Sequence, residues 1–88
     1  MDLRQVFALN LRRLRRERGI SQENLAYEAD VNRTYISKLE KGASYVGLEI
    51  IEKLSRVLEA EPAEFFQSGP EPSKSARGGA GPRKDQMG

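Results

Sequence analysis

Cysteine and histidine are both absent from this 88-residue sequence. Without cysteine there are no disulfides and no thiolate metal sites, and nothing favours an oxidising compartment over a reducing cytosol. The sequence also lacks a phosphate-binding glycine loop and any cluster of side chains with metal-ligand spacing. We therefore expect no enzyme activity, no metal and no cofactor.

Long apolar segments are absent as well. The longest uninterrupted apolar run, residues 6–9, is far too short for a membrane span or for the apolar part of a signal peptide. A chain of 88 residues leaves room for one domain and little more. We expect a cytoplasmic protein, nucleoid-associated if it binds DNA, with no membrane contact and no separate domain for a small-molecule effector.

The charged residues are distributed unevenly along the sequence. Residues 1–41 contain nine Lys and Arg residues against six acidic ones, and residues 42–67 contain two against five. The first segment therefore has a net charge of +3 and the second a net charge of −3. Opposite charge at the two ends is expected of a domain that orients itself on a polyanion such as DNA.

The last 21 residues differ in composition from the rest. Residues 68–88 are rich in Gly, Pro and Ser, and their only apolar residues are Ala76, Ala80 and Met87. Such a segment cannot bury enough surface to offset the entropy lost on ordering. We predict a domain over residues 1–67 and a disordered tail over residues 68–88, whose four basic residues either attract DNA non-specifically or serve only solubility.

Residues 1–67 show helical periodicity almost throughout, with no strict alternation that would indicate a strand. The pattern predicts an all-α domain of five helices, over residues 2–18, 21–30, 32–41, 48–58 and 62–66. Capping residues and glycines set most of these limits. The predicted N-caps are Asp2, Ser21 and Asn32, and the predicted stops are Gly19 and Gly42.

The apolar residues recur on one side of each predicted helix and therefore predict a single core. The expected core residues are Phe7, Leu11, Leu14, Leu25, Ala26, Ala29, Val31, Ile36, Leu39, Leu48, Ile51, Leu54, Leu58 and Phe65.

The second and third predicted helices fit within residues 21–41 and are joined by a turn of about three residues. Helices joined so tightly cross steeply. Ala26 is small enough for a close approach, Ile36 can lock the later helix in place, and Val31 lies between them. This pattern indicates a helix-turn-helix, which leaves the outer face of the later helix free to enter a major groove of DNA.

Residues 10–42, NLRRLRRERGISQENLAYEADVNRTYISKLEKG, resemble the signature of the lambda-repressor-like (Cro/C1, XRE-type) regulators. The resemblance continues more weakly to Phe66, and the segment NRTYIS also looks like the controller proteins of restriction-modification systems. It implies a compact five-helix DNA-binding domain in a transcriptional regulator. The matching residues, all in register, are Gly19, Ser21, Gln22, Leu25, Ala26, Tyr35, Ile36, Ser37, Leu39, Glu40, Lys41 and Gly42.

One residue departs from that signature, because Asp30 stands in the turn where the family usually has Gly. The backbone there is expected to have a positive φ. Asp tolerates this conformation better than most residues, so we expect a strain of about 1 kcal/mol and an intact motif.

The resemblance places the base-reading positions on the outer face of the third helix, opposite Ile36 and Leu39. Arg and Lys side chains can donate to guanine, and a Thr side chain can meet a thymine methyl group or a phosphate. An ordinary surface helix also carries Arg and Lys, so the prediction depends on the surrounding helix-turn-helix. The predicted base-reading residues are Arg33, Thr34, Ser37 and Lys38.

Contacts to the DNA backbone are predicted for five further residues. Gln22 begins the second helix, where a helix N-terminus favours an anion, although it could simply assist the cap. Asn32, the N-cap of the third helix, is also expected to contact the DNA backbone, and Tyr35 could either reach a phosphate or merely pack beside the core. Arg12 or Arg13 could touch a phosphate near the second helix, because helical geometry prevents all the arginines of residues 12–18 from facing DNA.

The resemblance also implies a structural ion pair. It pairs Arg15 with Glu40 in a partly buried salt bridge that fixes the first helix against the third. Arg15 is therefore expected to stabilise the fold and not to contact DNA.

Three apolar residues have no evident place in the predicted core, namely Val46, Ile50 and Phe66. Scattered exposed apolar residues are common, but three at one end of a small domain suggest a partner surface. We predict that they form a homodimer interface.

These observations together predict a sequence-specific regulator of transcription, of repressor or controller type, that binds double-stranded DNA as a homodimer on a palindromic operator. The alternative is a helical protein-interaction module or an antitoxin-type partner protein. An acidic or apolar outer face on the third helix would favour the alternative, whereas the observed face is basic and polar.

Overall fold

The computed structural model describes residues 2–68. These residues form α1 (Leu3–Arg18), α2 (Gln22–Ala29), α3 (Arg33–Glu40), α4 (Leu48–Leu58) and a 3-10 helix (Pro62–Phe66). The all-helical prediction is confirmed for this part of the chain. The described residues contain four α-helices and not the predicted five, because the fifth predicted segment is a short 3-10 helix. Apart from Ser68, the predicted tail lies outside the described residues.

Side-chain caps begin the first three helices as predicted. Asp2 Oδ1 accepts from Arg4 N at 2.9 Å, and Ser21 Oγ accepts from Asn24 N at 3.0 Å. The third cap is Asn32, whose Oδ1 accepts from Thr34 N at 2.7 Å. Each cap satisfies one backbone donor that the helix itself cannot pair.

Left-handed backbone conformations end three of the helices. Gly19 ends α1 with φ 70°, and Asp30 ends α2 with φ 57°. The positive φ predicted at Asp30 is therefore confirmed. Glu59 ends α4 with φ 53°, a second non-glycine residue in this region that the sequence pattern did not indicate.

One hydrophobic core joins the helices. α1 packs against α3 and the 3-10 helix, while α2 packs against α3 and α4. All but two of the predicted core residues are buried, and Val31 is partly buried against them. Leu48 was predicted to be buried and is 80% exposed, because it begins α4 at the open edge of the domain.

The structure also corrects the expectation that Val46 and Ile50 have no core role, since both are partly buried against the core. Phe66 is 40% exposed, and its ring centre lies 5.8 Å from that of Phe7. No helix within residues 2–68 is long and apolar enough to span a membrane.

Candidate nucleic-acid interface

The outer face of α3 presents basic and polar side chains. The turn between α2 and α3 is three residues long. Ile36 and Leu39 on the inner side of α3 are buried, so the opposite side of α3 faces outward. Arg33, Thr34 and Lys38 are exposed. No carboxylate among residues 2–68 lies within salt-bridge distance of Arg33 or Lys38. Both cations therefore remain available to a ligand.

Ser37 lies between these residues on the same face but is only partly exposed. Positions 33, 34, 37 and 38 together span about 140° of the helix circumference at 3.6 residues per turn. The four predicted base-reading positions therefore share one face, with Ser37 the most recessed of its members.

The N-terminus of α2 lies beside α3 and leaves backbone donors unpaired by the helix. The first intrahelical hydrogen bond runs from Leu25 N to Ser21 O, and the Ser21 hydroxyl accepts a hydrogen bond from Asn24 N. The N–H groups of Gln22 and Glu23 precede both bonds and point out of the helix end. Such a pair of N–H groups suits an anion, although the nearby Glu23 carboxylate reduces the local positive potential.

The Gln22 side chain is held within the protein. Its Nε2 donates to Glu40 Oε1 at 3.0 Å. The sequence offered two roles for Gln22, a phosphate contact or a capping partner of Ser21, and did not indicate this contact. The sequence alone cannot indicate this contact, because the two residues are 18 positions apart and meet only through the packing of α2 on α3.

Glu40 is the centre of a buried network of hydrogen bonds. It is 3% exposed, and its carboxylate accepts from Arg15 Nε at 2.6 Å and from Arg15 Nη2 at 3.1 Å. Arg15 Nη1 also donates to Ile20 O at 2.9 Å. The hydrogen bond that Arg15 donates to Glu40 raises the pKa of Arg15 above its ordinary value, against the opposing effect of burial, so the guanidinium stays charged. This network ties α1, α3 and the start of α2 together.

The two arginines considered for phosphate contact point in different directions. Arg12 donates through Nη1 to the backbone carbonyl of Glu40 and so binds the C-terminal end of α3. Arg13 Nη2 instead lies within hydrogen-bond distance of Asn10 Oδ1 and Glu64 O, on the side of α1 that packs against the 3-10 helix. The sequence had not marked Asn10, which is 3% exposed and donates to Phe65 O at 3.0 Å.

The Tyr35 hydroxyl is also engaged within the chain. It donates to Tyr45 O at 2.8 Å, in the loop between α3 and α4. A phenol hydroxyl has one proton, so Tyr35 cannot donate to a phosphate while this bond persists.

An apolar groove of about 230 Å³ is lined in part by the loop between α3 and α4. It runs between the start of α1, the loop, the start of α4 and the 3-10 helix. Val46 and Phe66 line it as part of one surface, whereas Ile50 does not. Ile50 follows Leu48 by two positions, about 200° around the helix axis, and faces another side. The groove residues are Leu3, Arg4, Phe7, Ser44, Tyr45, Val46, Leu48, Ile51 and Phe66.

Two helices joined by a tight turn form a helix-turn-helix, in which the inner face of α3 is buried and its basic outer face is free. This arrangement is that of a DNA-binding regulator of transcription. The helix-turn-helix family pattern matches residues 11–65, and the chain belongs to that family. The likeness to regulators of the XRE type is thereby confirmed.

Two relatives are named as control proteins, and a solved structure that the chain resembles is named as a restriction-modification controller protein. Control protein C.BamHI of Bacillus amyloliquefaciens is 41% identical over 66 residues, which cover 74% of this chain and 82% of that protein. Control protein C.MunI of Mycoplasma is 38% identical over 66 residues, covering 74% of this chain and 89% of that protein. The restriction-modification controller protein C.AhdI from Aeromonas hydrophila has the same fold, with a TM-score of 0.69 and 40% identity over 72% of this chain and 96% of that one.

Proposed function

We propose that the chain binds a specific palindromic operator in double-stranded DNA as a two-fold symmetric homodimer, with α3 of each copy in a major groove. The relatives named as control proteins support a role as a controller of transcription. The protein would then act in the cytoplasm on the nucleoid, and its own concentration would set the response.

The observation that carries the proposal is the free cationic face of α3. Arg33 and Lys38 are exposed and unpaired by any carboxylate of residues 2–68, while Thr34 lies between them. We assign Arg33 and Lys38 to guanine O6 and N7, and Thr34 to a thymine methyl group or a phosphate. Ser37, being recessed, reaches a base only where the helix lies deep in the groove.

The backbone contacts are assigned to helix ends. The N–H groups of Gln22 and Glu23 at the start of α2 would bind one phosphate, and Asn32 at the start of α3 would contact the next. Gln22 would contribute through its backbone, because its side-chain amide donates to Glu40. Arg12, Arg13 and Tyr35 are left out of this set because their polar groups bind other parts of the chain.

The apolar groove supplies the surface for a second copy. Its rim carries large exposed side chains, with Leu48 80%, Tyr45 75% and Leu3 58% exposed. It lies apart from the outer face of α3, so a copy bound there leaves both recognition helices free. A single recognition helix contacts too few base pairs to distinguish one site in a genome, and an isologous pair doubles the number.

The experiment that tests the proposal selects bound sequences from a random pool of duplex DNA. The expected result is one motif made of two inverted half-sites. Sedimentation of the protein at micromolar concentration, free and with the selected duplex, would give the stoichiometry. Recovery of no motif contradicts sequence-specific binding, whereas a single unrepeated half-site with a monomer on DNA contradicts the homodimer alone.

A further inference from the structure

The loop between α3 and α4, residues 41–47, touches both of the proposed surfaces. The Tyr45 ring lines the apolar groove and is 75% exposed. The carbonyl of the same residue accepts the hydrogen bond of 2.8 Å from Tyr35, which lies on α3 next to Thr34. Tyr45 therefore faces the groove through its side chain and holds the DNA-reading helix through its backbone.

The two halves of this loop are attached to α3 in different ways. In the first half, Ala43 N donates to Lys38 O at 2.9 Å, so the backbone simply completes the helix end. In the second half, residues 44–47, the bond between Tyr35 and Tyr45 is the one hydrogen bond to α3 in the described part of the chain. The Tyr35 hydroxyl is therefore the hydrogen-bonding link between α3 and the second half of the loop.

The remaining contacts of the second half belong to the groove. The Arg4 guanidinium lies 4.7 Å from the centre of the Tyr45 ring, and Val46 packs against the core. Arg4 is itself within 3.4 Å of Asp2 at the start of α1. A partner that covers the groove would press on the Tyr45 ring and on this edge of α1 together.

We propose that Tyr45 couples dimerisation to DNA binding, an inference that rests on the homodimer proposed above. A second copy that covers the groove fixes the Tyr45 ring and with it residues 44–47. The Tyr45 carbonyl then holds the Tyr35 hydroxyl, and the adjoining turn of α3, in one position. Because both events then depend on the same position of the loop, each of them strengthens the other.

The sign of the coupling follows from the single proton of the Tyr35 hydroxyl. If Tyr35 keeps its bond to Tyr45 on DNA, dimerisation and DNA binding favour each other. If the hydroxyl instead turns to a phosphate, DNA releases the loop, and binding of DNA weakens the dimer. The structure contains the bond between Tyr35 and Tyr45, so we expect dimerisation and DNA binding to favour each other.

Replacement of Tyr35 by Phe tests the proposal, because it removes only the hydroxyl and keeps the ring. The monomer–dimer dissociation constant is measured by sedimentation without DNA, where Tyr35 contacts no ligand. Tyr35→Phe should weaken the dimer about two- to tenfold, the range expected for one hydrogen bond. Thr34→Ala is the matched control, since Thr34 is on the DNA face without a side-chain link to the loop, and its dimer constant should equal that of wild type.

A second measurement uses the unaltered protein and therefore does not depend on how a variant folds. A short duplex with one half-site should tighten the dimer by the same factor by which dimerisation tightens half-site binding. An unchanged or tighter dimer in Tyr35→Phe, or a half-site that weakens the dimer, overturns the coupling while leaving the homodimer in place. A wild-type protein that is monomeric both free and on the operator overturns the homodimer and the coupling together.

Discussion

Glu40 is the residue at which the three helices of the DNA-binding unit converge. Its carboxylate is bound by Arg15 of α1 and Gln22 of α2, and its carbonyl by Arg12 of α1. A buried charge is tolerated only where other groups replace its hydrogen bonds to water. Here those groups come from α1 and α2, whereas Glu40 belongs to α3. The residue thereby sets the position of α3 relative to the N-terminus of α2, the two elements proposed to contact DNA.

Glu40→Ala should therefore destabilise the fold strongly. It leaves Arg15, whose side chain is 14% exposed, charged and without its partner. Removing one member of such a pair costs about 3 to 5 kcal/mol at full burial, and the remaining bond to Ile20 O favours the lower end. A denaturant titration measures the loss.

Glu49→Ala is the control for that experiment. Glu49 is paired with Lys53 at 3.9 Å and its side chain is 81% exposed, so the change should cost under about 1 kcal/mol. Equal midpoints for the two variants would show that the Arg15–Glu40 pair contributes no more than a surface pair.

Lys38→Ala should relax base preference at one position of the operator. Loss of a base contact costs about 1 to 3 kcal/mol per half-site for the preferred sequence and little for random DNA. Fluorescence anisotropy with specific and random duplexes measures both affinities. Arg56→Ala removes an exposed charge of the same sign from α4, far along the chain from this face, and should lower both affinities slightly and equally.

The helices themselves were readable from the sequence to within a residue or two. Caps such as Ser21 and stops such as Gly19 act through local backbone geometry, which a sequence displays directly. The positive φ of Asp30 was predicted from the family resemblance, because the family usually has Gly at this position. The Gln22–Glu40 contact was not, because it arises from the packing of two helices and leaves no local pattern.

The apolar groove shows where periodicity alone misleads. Leu48 continues the inward stripe of α4, but no element within residues 2–68 covers its side chain, which is 80% exposed. Val46 precedes α4 and Ile50 lies off its inward stripe, so periodicity assigns neither to the core, yet both pack partly against it. A helical pattern predicts which residues share a face and does not predict how far the neighbouring elements extend over it.

Leu48→Glu should separate dimerisation from folding. The side chain is 80% exposed, so the monomer should keep its stability, while a charge in the groove should prevent a second copy from covering it. Sedimentation should show monomers, and DNA titration should show loss of cooperative operator binding. Leu9→Glu, at a position that is 55% exposed and outside the groove, should leave both unchanged.

Ile50→Glu provides a contrast on the same helix. Because Ile50 is partly buried against the core, this charge should lower the free energy of unfolding as well as any dimer affinity. A folded monomer with wild-type stability would mean that Ile50, and not the groove, belongs to the interface.

At the scale of the whole molecule, the positive and negative segments of the sequence correspond to different helices. The positive segment, residues 1–41, contains α2 and α3 with the proposed DNA contacts, and the negative segment, residues 42–67, contains α4 and the 3-10 helix. The first attracts the phosphate backbone, and the second is repelled by it. This polarity favours one orientation on DNA before any base is read, and it predicts affinity that falls steeply with salt.

The operator should contain two inverted half-sites about 34 Å apart, one turn of B-DNA, because a two-fold dimer presents its two α3 helices to the same side of the duplex. Lengthening the spacer by about five base pairs turns one half-site to the opposite side, so only one copy can then bind specifically. Anisotropy titrations of the two duplexes should show cooperative binding only with the shorter spacer. Leu48→Glu, which lacks the dimer contact, should bind both duplexes alike and provides the control. Equal cooperative binding of both spacers by wild type would exclude a rigid two-fold dimer and favour independent monomers or a flexible link between copies.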